Sequence, residues 1–375
     1  MTAHDTVHDT AHDAAPPWVL AEVRRNVGLL TLNRPQALNA LSLAMVRLIT
    51  AHLLAWRDDA NVVAVVVRGA ALQGKGLAFC AGGDIRFFHQ AALAGDPQLD
   101  DFFTEEYTLD HLIHAYPKTV VALVDGVVMG GGMGIAQGCS IRVVTERTQM
   151  AMPETNIGLF PDVGGGFFLS RCPGHTGEYL ALTGQLLGAG DAIACGLADA
   201  FVPSAGLPAL IESLCDQPME NGAQVGASIA ARSVPAPAGS LLARRAAIDA
   251  HFSQADLAAI CASLAGDPSE WATRALQALR QRSPLMLAVA LEQVRRARHL
   301  SLADDLRMER DLVRRCFTLR PGAASETVEG IRALAVDKDH APRWNPDRIE
   351  DVTPAMVAAF FDSPWPAHAH PLRGL

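Results

Sequence analysis

The sequence lacks a cysteine pair at metal or redox spacing, a membrane-length apolar run and an excess of basic charge. Its seven cysteines, at 80, 139, 172, 195, 215, 261 and 316, are scattered and odd in number. That pattern predicts neither a disulfide framework nor a zinc site, and reads as cysteine used as a small apolar residue in a reducing compartment. No apolar stretch approaches the ~18–20 residues of a bilayer crossing. The longest, Val62–Val67, suits a buried strand. Thirty-one basic against 40 acidic residues give a formal net charge of -9, which argues against a protein that coats nucleic acid on a basic face. A small anion held by a few local cations stays open. Residues 1–17 lack the basic and apolar blocks of a secretory signal and the arginines of a mitochondrial presequence, so the expected location is the cytoplasm.

What is present is globular. Half of the 375 residues are apolar and 19% are charged. The first 17 residues repeat His-Asp, with His4, His8 and His12 four apart. On a helix these could share a metal, but small polar residues closed by Pro16-Pro17 read as a disordered tail. Val27–Leu32 reads as a strand ending at Asn33-Arg34-Pro35. Helical spacing runs from Leu38 to about Trp56, and Val62–Val67, Val120–Val124 and Ile141–Val144 are further strands. Strands alternating with helices, with glycine-rich turns after strands, predict an α/β unit over residues 18–205. Residues 206–375 are Ala/Leu/Arg-rich with helical periodicity, and Ser283-Pro284 opens one helix as N-cap and first-turn proline. Arg295, Arg296, Arg298 and His299 fall near that helix's end, where cations complement the dipole.

Three glycine-rich stretches carry the functional question. Gly69–Gly76 (GAALQGKG) fits the GxxxxGK of a phosphate-binding loop, but Gly76 stands where a Ser or Thr must hold magnesium, so it reads as a solvent loop. Phe79–Ile85 (FCAGGDI) has paired glycines that let a ligand approach backbone N–H groups. Met129–Gly134 (MGGGMG) follows a strand and opens a run of small residues, as in a tightly packed helix whose first N–H groups face an anion. Glycine also serves a close-packed strand–helix joint, so either stretch alone is ambiguous. Two such turns in one fold suggest a two-donor oxyanion hole, which attack on a carbonyl, or its enolisation, requires.

These two loops, followed by Ala151–Gly166 (AMPETNIGLFPDVGGG), closely resemble the crotonase (enoyl-CoA hydratase/isomerase) superfamily. Leu32–Pro35 with Leu38–Leu41, Leu180–Gly184 and Ala194–Asp199 resemble further landmarks of it in the same order. The match is nearest to the 3-hydroxyisobutyryl-CoA hydrolase branch. Glu105-Glu106-Tyr107, the Ala151–Gly166 string, Gly134 and Asp337–Trp344 (DKDHAPRW) carry that likeness. The resemblance implies an α/β fold, a crotonase-like spiral of ββα turns with an α-helical C-terminal region. It implies an acyl-CoA substrate, with no metal and no redox cofactor because CoA is part of the substrate. It implies no nucleic-acid or membrane partner, and allows a trimer-based homo-oligomer. It places oxyanion-hole N–H groups at Gly83 and Gly131 and a catalytic carboxylate at Glu154. Asp162 becomes a second carboxylate and Glu106 a substrate contact. Gly134 takes the place of the hydratases' first catalytic carboxylate. Arg34 and Lys75 are candidate contacts for CoA phosphates.

The residues agree with that chemistry. A thioester carbonyl gains negative charge under attack, and two aimed N–H groups stabilise it. Glu154 could attack to form an anhydride or act as general base on water. Asp162 could bind a 3-hydroxyl and orient water. Both carboxylates could instead serve their turns. Cys80, beside the second loop, has no histidine placed to activate it and reads as packing; His175, in a Pro-Gly-His turn, reads as exposed. Hydrolysis of a short branched 3-hydroxyacyl-CoA, within valine breakdown, is the expected reaction. An enoyl-CoA hydratase/isomerase on another acyl-CoA and a non-enzymatic CoA-binding scaffold are the alternatives.

Overall fold

The computed structural model describes residues 17–72 and 77–375. The His-Asp repeat and Lys75 lie outside the described residues. Nine strands build two sheets. They are β1 (Val19–Arg24), β2 (Val27–Leu32), β3 (Ala64–Gly69), β4 (Ala78–Cys80), β5 (Thr119–Val124), β6 (Val127–Met129), β7 (Ile141–Val144), β8 (Gln149–Ala151) and β9 (Ala200–Phe201). The larger sheet has the order β1-β2-β3-β5-β7-β9 and the smaller the order β4-β6-β8. Every pairing is parallel except the β1–β2 hairpin.

The chain alternates between the sheets, giving β3 then β4, β5 then β6, β7 then β8, with helices or turns after each pair. This is the expected spiral of ββα turns. Two expected strands of the large sheet match residue for residue, at Val27–Leu32 and Ile141–Val144. Alternate side chains explain the unbroken apolar runs. Leu30, Leu32, Val65, Val67, Val120 and Ala122 join the main core. Val27, Leu29, Ala64, Val66, Val121 and Leu123 face the other way. There they meet Leu210, Leu214, Val225 and Ile229 of the helices Leu207–Cys215 and Gly222–Ala230. Both faces are buried, as a parallel sheet requires.

Helix α1 (Leu43–Asp58) starts five residues later than the spacing from Leu38 predicts. Leu38 and Asn39 are left-handed (φ 52° and 58°), and Ser42 caps the helix by accepting the Met45 N–H. Asn39 instead ties the turn, donating to the carbonyls of Ala70 and Ala78 at 3.1 and 2.9 Å. Helices α2 (Ile85–Ala94), α3 (Gln98–His114) and α4 (Gly131–Gly138) complete the layer that faces the site.

Beyond Phe201 all regular elements are helical. The helix Pro284–Ala297 begins where Ser283-Pro284 predicts, with Ser283 capping Met286. Its basic end is partly tied down, with Arg296 and His299 exposed. Arg298 pairs with the buried Glu178, Arg295 donates to the carbonyls of Gln254 and Ala255, and Arg296 bonds Glu292 at 2.7 Å. His175 is half-buried rather than exposed, with Nδ1 3.0 Å from Glu178. Leu285, Met286, Leu306 and Leu312 of the C-terminal helices share one apolar core with Phe160, Phe168 and Leu169 of the spiral.

Candidate active site

The small sheet places the site. Its three parallel strands end side by side, and each runs into one of the segments singled out by sequence. β4 leads to Gly82-Gly83, β6 to Gly130-Gly131, and β8 to Pro153-Glu154. Because β6 is the central strand, Gly130 lies between the other two segments. A Cβ on Gly130 would stand 3.4 Å from the Gly82 Cα and 3.0 Å from Glu154 Oε1. A Cβ on Gly131 would stand 2.3 Å from Glu106 Oε1. Gly130 is also at φ 48°, ψ -125°, a backbone geometry that side chains avoid. Only glycine lets the two carboxyls flank this backbone.

Gly83 follows Gly82 (φ 107°), whose carbonyl accepts from Leu41 N at 2.8 Å; Asp84 N donates back to Leu41 at 2.9 Å. That exchange holds the loop and leaves the Gly83 N–H without a protein acceptor among the described residues. Gly131 opens α4, where a first N–H has no helical partner.

A cavity of about 410 Å³ brings Gly83, Gly131, Glu106, Glu154 and Asp162 together. Apolar side chains, among them Phe88, Phe103, Leu186 and Leu334, form the rest of its wall, and no Lys or Arg is among the lining residues. Glu154 sits on the single turn Glu154–Ile157, closed by Gly158 in the left-handed region (φ 65°). Its Oε2 has no protein partner among the described residues, and burial, then the charge of Asp162, pushes its carboxyl well above the usual range. Asp162 is raised by burial to about 6, while the Tyr107 hydroxyl, donating to Oδ2 at 2.8 Å, opposes the rise. Glu106, on α3, is raised well above the ordinary range by burial and then by Asp110, Asp162 and Glu154.

Two residues here were given no role by the sequence. Tyr107 fixes the Asp162 carboxyl. Asp110 lies one helical turn beyond Glu106, and neither of its oxygens has a protein partner among the described residues. The i, i+4 spacing of Glu106 and Asp110 on a helix was the signal available. Asp110 also explains Gly134. A Cβ on Gly134 would stand 2.9 Å from both Asp110 oxygens and 2.7 Å from the Val163 Cβ. Val163 is itself left-handed (φ 56°), a conformation that costs a non-glycine residue about 1–3 kcal/mol.

Arg34 does not join the cavity. Its guanidinium pairs with Asp84 at 2.6 Å and donates to the Ala40 carbonyl at 3.2 Å, so it ties the first turn to the Gly83 loop. Cys80 is buried, and burial pushes its thiol up to about 12, which leaves no thiolate for nucleophilic work.

The unpartnered Asp110 yields a prediction. Burial, then the charge of Asp162, raises its folded carboxyl well above the unfolded value. Between the two values the unfolded chain releases the proton first, so this group lowers stability as pH rises. The Tm advantage of Asp110→Asn over wild type therefore grows from about pH 5 to about pH 8. Thermal melts across that range check it; a difference independent of pH would mean that Asp110 is not held neutral by burial.

Comparison with known proteins agrees with the geometry. A family model described as enoyl-CoA hydratase/isomerase matches residues 27–361. A Xenopus tropicalis protein named 3-hydroxyisobutyryl-CoA hydrolase, mitochondrial, is 41% identical, covering 90% of this chain and 86% of its own. A Gallus gallus protein of the same name is 38% identical, covering 90% and 87%. The crystal structure of a protein named carnitinyl-CoA dehydratase, from Mycobacterium thermoresistibile, superposes with a TM-score of 0.85 at 39% identity, covering 93% and 97%. The names of the two relatives overturn the cytoplasmic expectation, since both are mitochondrial proteins. Seventeen residues of composition were too little to assign a compartment. The matched model spans the spiral and most of the helices that follow it, and the chain belongs to the enoyl-CoA hydratase/isomerase family.

Proposed function

We propose that the chain hydrolyses 3-hydroxyisobutyryl-CoA, a short branched 3-hydroxyacyl thioester, to the free acid and CoA, a reaction that fits valine breakdown. The observation that carries this reading is the filled space at Gly134. In the hydratases a first catalytic carboxylate belongs there, and here Asp110 and Val163 leave it no room. What faces the cavity instead is Glu154 with Asp162, beside the Gly83 and Gly131 backbone.

The thioester carbonyl oxygen would lie between the Gly83 and Gly131 N–H groups, and losing one such donor typically costs about 10²–10³ in rate. Glu154 then either attacks the acyl carbon or takes a proton from the water that does. In both routes the C–S bond breaks, the sulfur leaves as thiol after taking up a proton, and one water is consumed. Asp162, held by Tyr107, accepts the substrate 3-hydroxyl. Glu106 borders the acyl group. The reaction needs no metal or redox cofactor, and CoA enters as part of the substrate. The name of the Mycobacterium protein favours a second reading, water addition to or removal from an acyl-CoA.

Thiol release from 3-hydroxyisobutyryl-CoA, followed beside loss of crotonyl-CoA absorbance, separates the two. The expected result is release of CoA with negligible hydration; hydration without thiol release would replace this reading by the second. Glu154→Gln should lower kcat by at least about 100-fold, the usual worth of positioned acid–base catalysis. KM should change little, because the CoA moiety binds elsewhere. A variant as fast as wild type would remove Glu154 from the mechanism. Asp162→Asn should lose more kcat/KM on 3-hydroxyisobutyryl-CoA than on isobutyryl-CoA, which lacks the hydroxyl. Equal losses on both thioesters would mean that Asp162 serves water or the loop.

A further inference from the structure

The loop that carries Asp162 is held from outside the spiral. Val163 and Gly164 are both left-handed, at φ 56° and 83°. Side chains from two C-terminal helices, Pro284–Ala297 and Leu302–Thr318, take up the polar backbone on either side of Asp162. Glu309 Oε2 accepts the Gly164 N–H at 2.7 Å, and Oε1 accepts the Gly166 N–H at 2.9 Å. Gln293 Nε2 donates to the Pro161 carbonyl at 2.6 Å and to Glu309 Oε1 at 2.9 Å. Asp305 Oδ2 accepts the Phe167 N–H at 2.7 Å. All three side chains are fully buried.

We infer that Glu309 and Gln293 are positioning residues for Asp162, clamping the 161–164 turn and the first turn of the helix Gly165–Leu169 that follows it, so that the Asp162 carboxyl meets Tyr107 and faces the cavity. The inference rests on the proposed role of Asp162. Its basis is where the bonds fall. The clamp grips Pro161 and Gly164, the residues that bracket the strained Asp162-Val163 step, and it grips them by backbone groups. Packing alone would be served by apolar side chains, which carry no cost for burying polar atoms. The geometry is also directional. Glu309 accepts three N–H groups on its two oxygens, so an amide in its place must turn one donor toward another.

Glu309→Gln keeps the shape and tests this. In wild type the Gly164 and Gly166 amides should exchange slowly with solvent; in the variant they should exchange faster while core strand amides stay protected. The variant's kcat on 3-hydroxyisobutyryl-CoA should fall by about 10- to 100-fold, the cost of a small misplacement, with KM little changed. Combined with Asp162→Asn, it should add no further loss beyond about twofold, because both changes remove the same interaction. Gln293→Leu, which removes the Pro161 strut and one of the three donors to Glu309 but leaves the Gly164 and Gly166 bonds, should lose less in the same direction, and it carries the comparison should Glu309→Gln fail to fold. A folded variant with wild-type kcat, or one whose loss multiplies with that of Asp162→Asn, overturns the inference. If wild type itself releases no thiol, the hydrolase reading fails. The clamp is then decided by amide exchange and by the crystal structure of the variant, where an unchanged Asp162–Tyr107 bond would refute it.

Discussion

Everything at this site depends on two backbone segments lying closer to carboxyl groups than a side chain allows. A methyl group at Gly131 would overlap Glu106, and one at Gly130 would press on Glu154. The contact follows from topology. Three short parallel strands end in register, and their loops must then cross the same few ångströms of space. Strand, glycine turn and helix start are therefore one device. It presents backbone N–H groups, which need no side-chain ordering and cannot change protonation; in the proposed reaction they meet the carbonyl oxygen as it gains charge.

The carboxyls around that device are held at an electrostatic cost. Glu106, Asp110, Glu154 and Asp162 are all buried, and among the described residues no Lys or Arg lines the cavity. Burial raises each of them, and repulsion from neighbouring carboxylates adds to the rise of Glu106, Asp110 and Glu154, which disfavours their ionising together. Such an arrangement separates proton donors from proton acceptors without histidine. Asp162 accepts a hydrogen bond from the Tyr107 hydroxyl, which opposes the rise that burial causes.

Much of this was legible from the residues alone, and the failures have physical causes. β2 could be read because its six residues form a mostly apolar run that is buried throughout, and β7 because Ile141, Val143 and Val144 outweigh the single Arg142. β4, β6 and β8 could not be read: each has three residues, and glycines beyond them dominate the local signal. The pair of glycine loops gave the chemistry because glycine demand is local. The pairing of Arg34 could not be read because its partner, Asp84, lies 50 residues away, and a lone arginine in a sequence does not show whether it is already paired. Asp110 went unnoticed for the same reason. Its importance comes from the side chain that Gly134 lacks, and that gap is visible only once α3 and α4 are packed together.

The two halves of the site are therefore specified differently. The Gly83 and Gly131 N–H groups, the proposed oxyanion donors, come from short-range geometry inside the spiral. The aim of Asp162 comes from Gln293 and Glu309, more than 130 residues further along the chain. A scaffold divided in this way can keep its carbonyl-binding backbone while the acid–base groups change. That a protein sharing this fold is named a dehydratase, while other relatives are named hydrolases, fits that division. The division also gives the C-terminal helices a function beyond covering the core. Replacing a carboxylate at the position of Gly134 leaves the acid–base chemistry to a loop, and a loop with a left-handed valine keeps one geometry only when something rigid outside it holds its backbone.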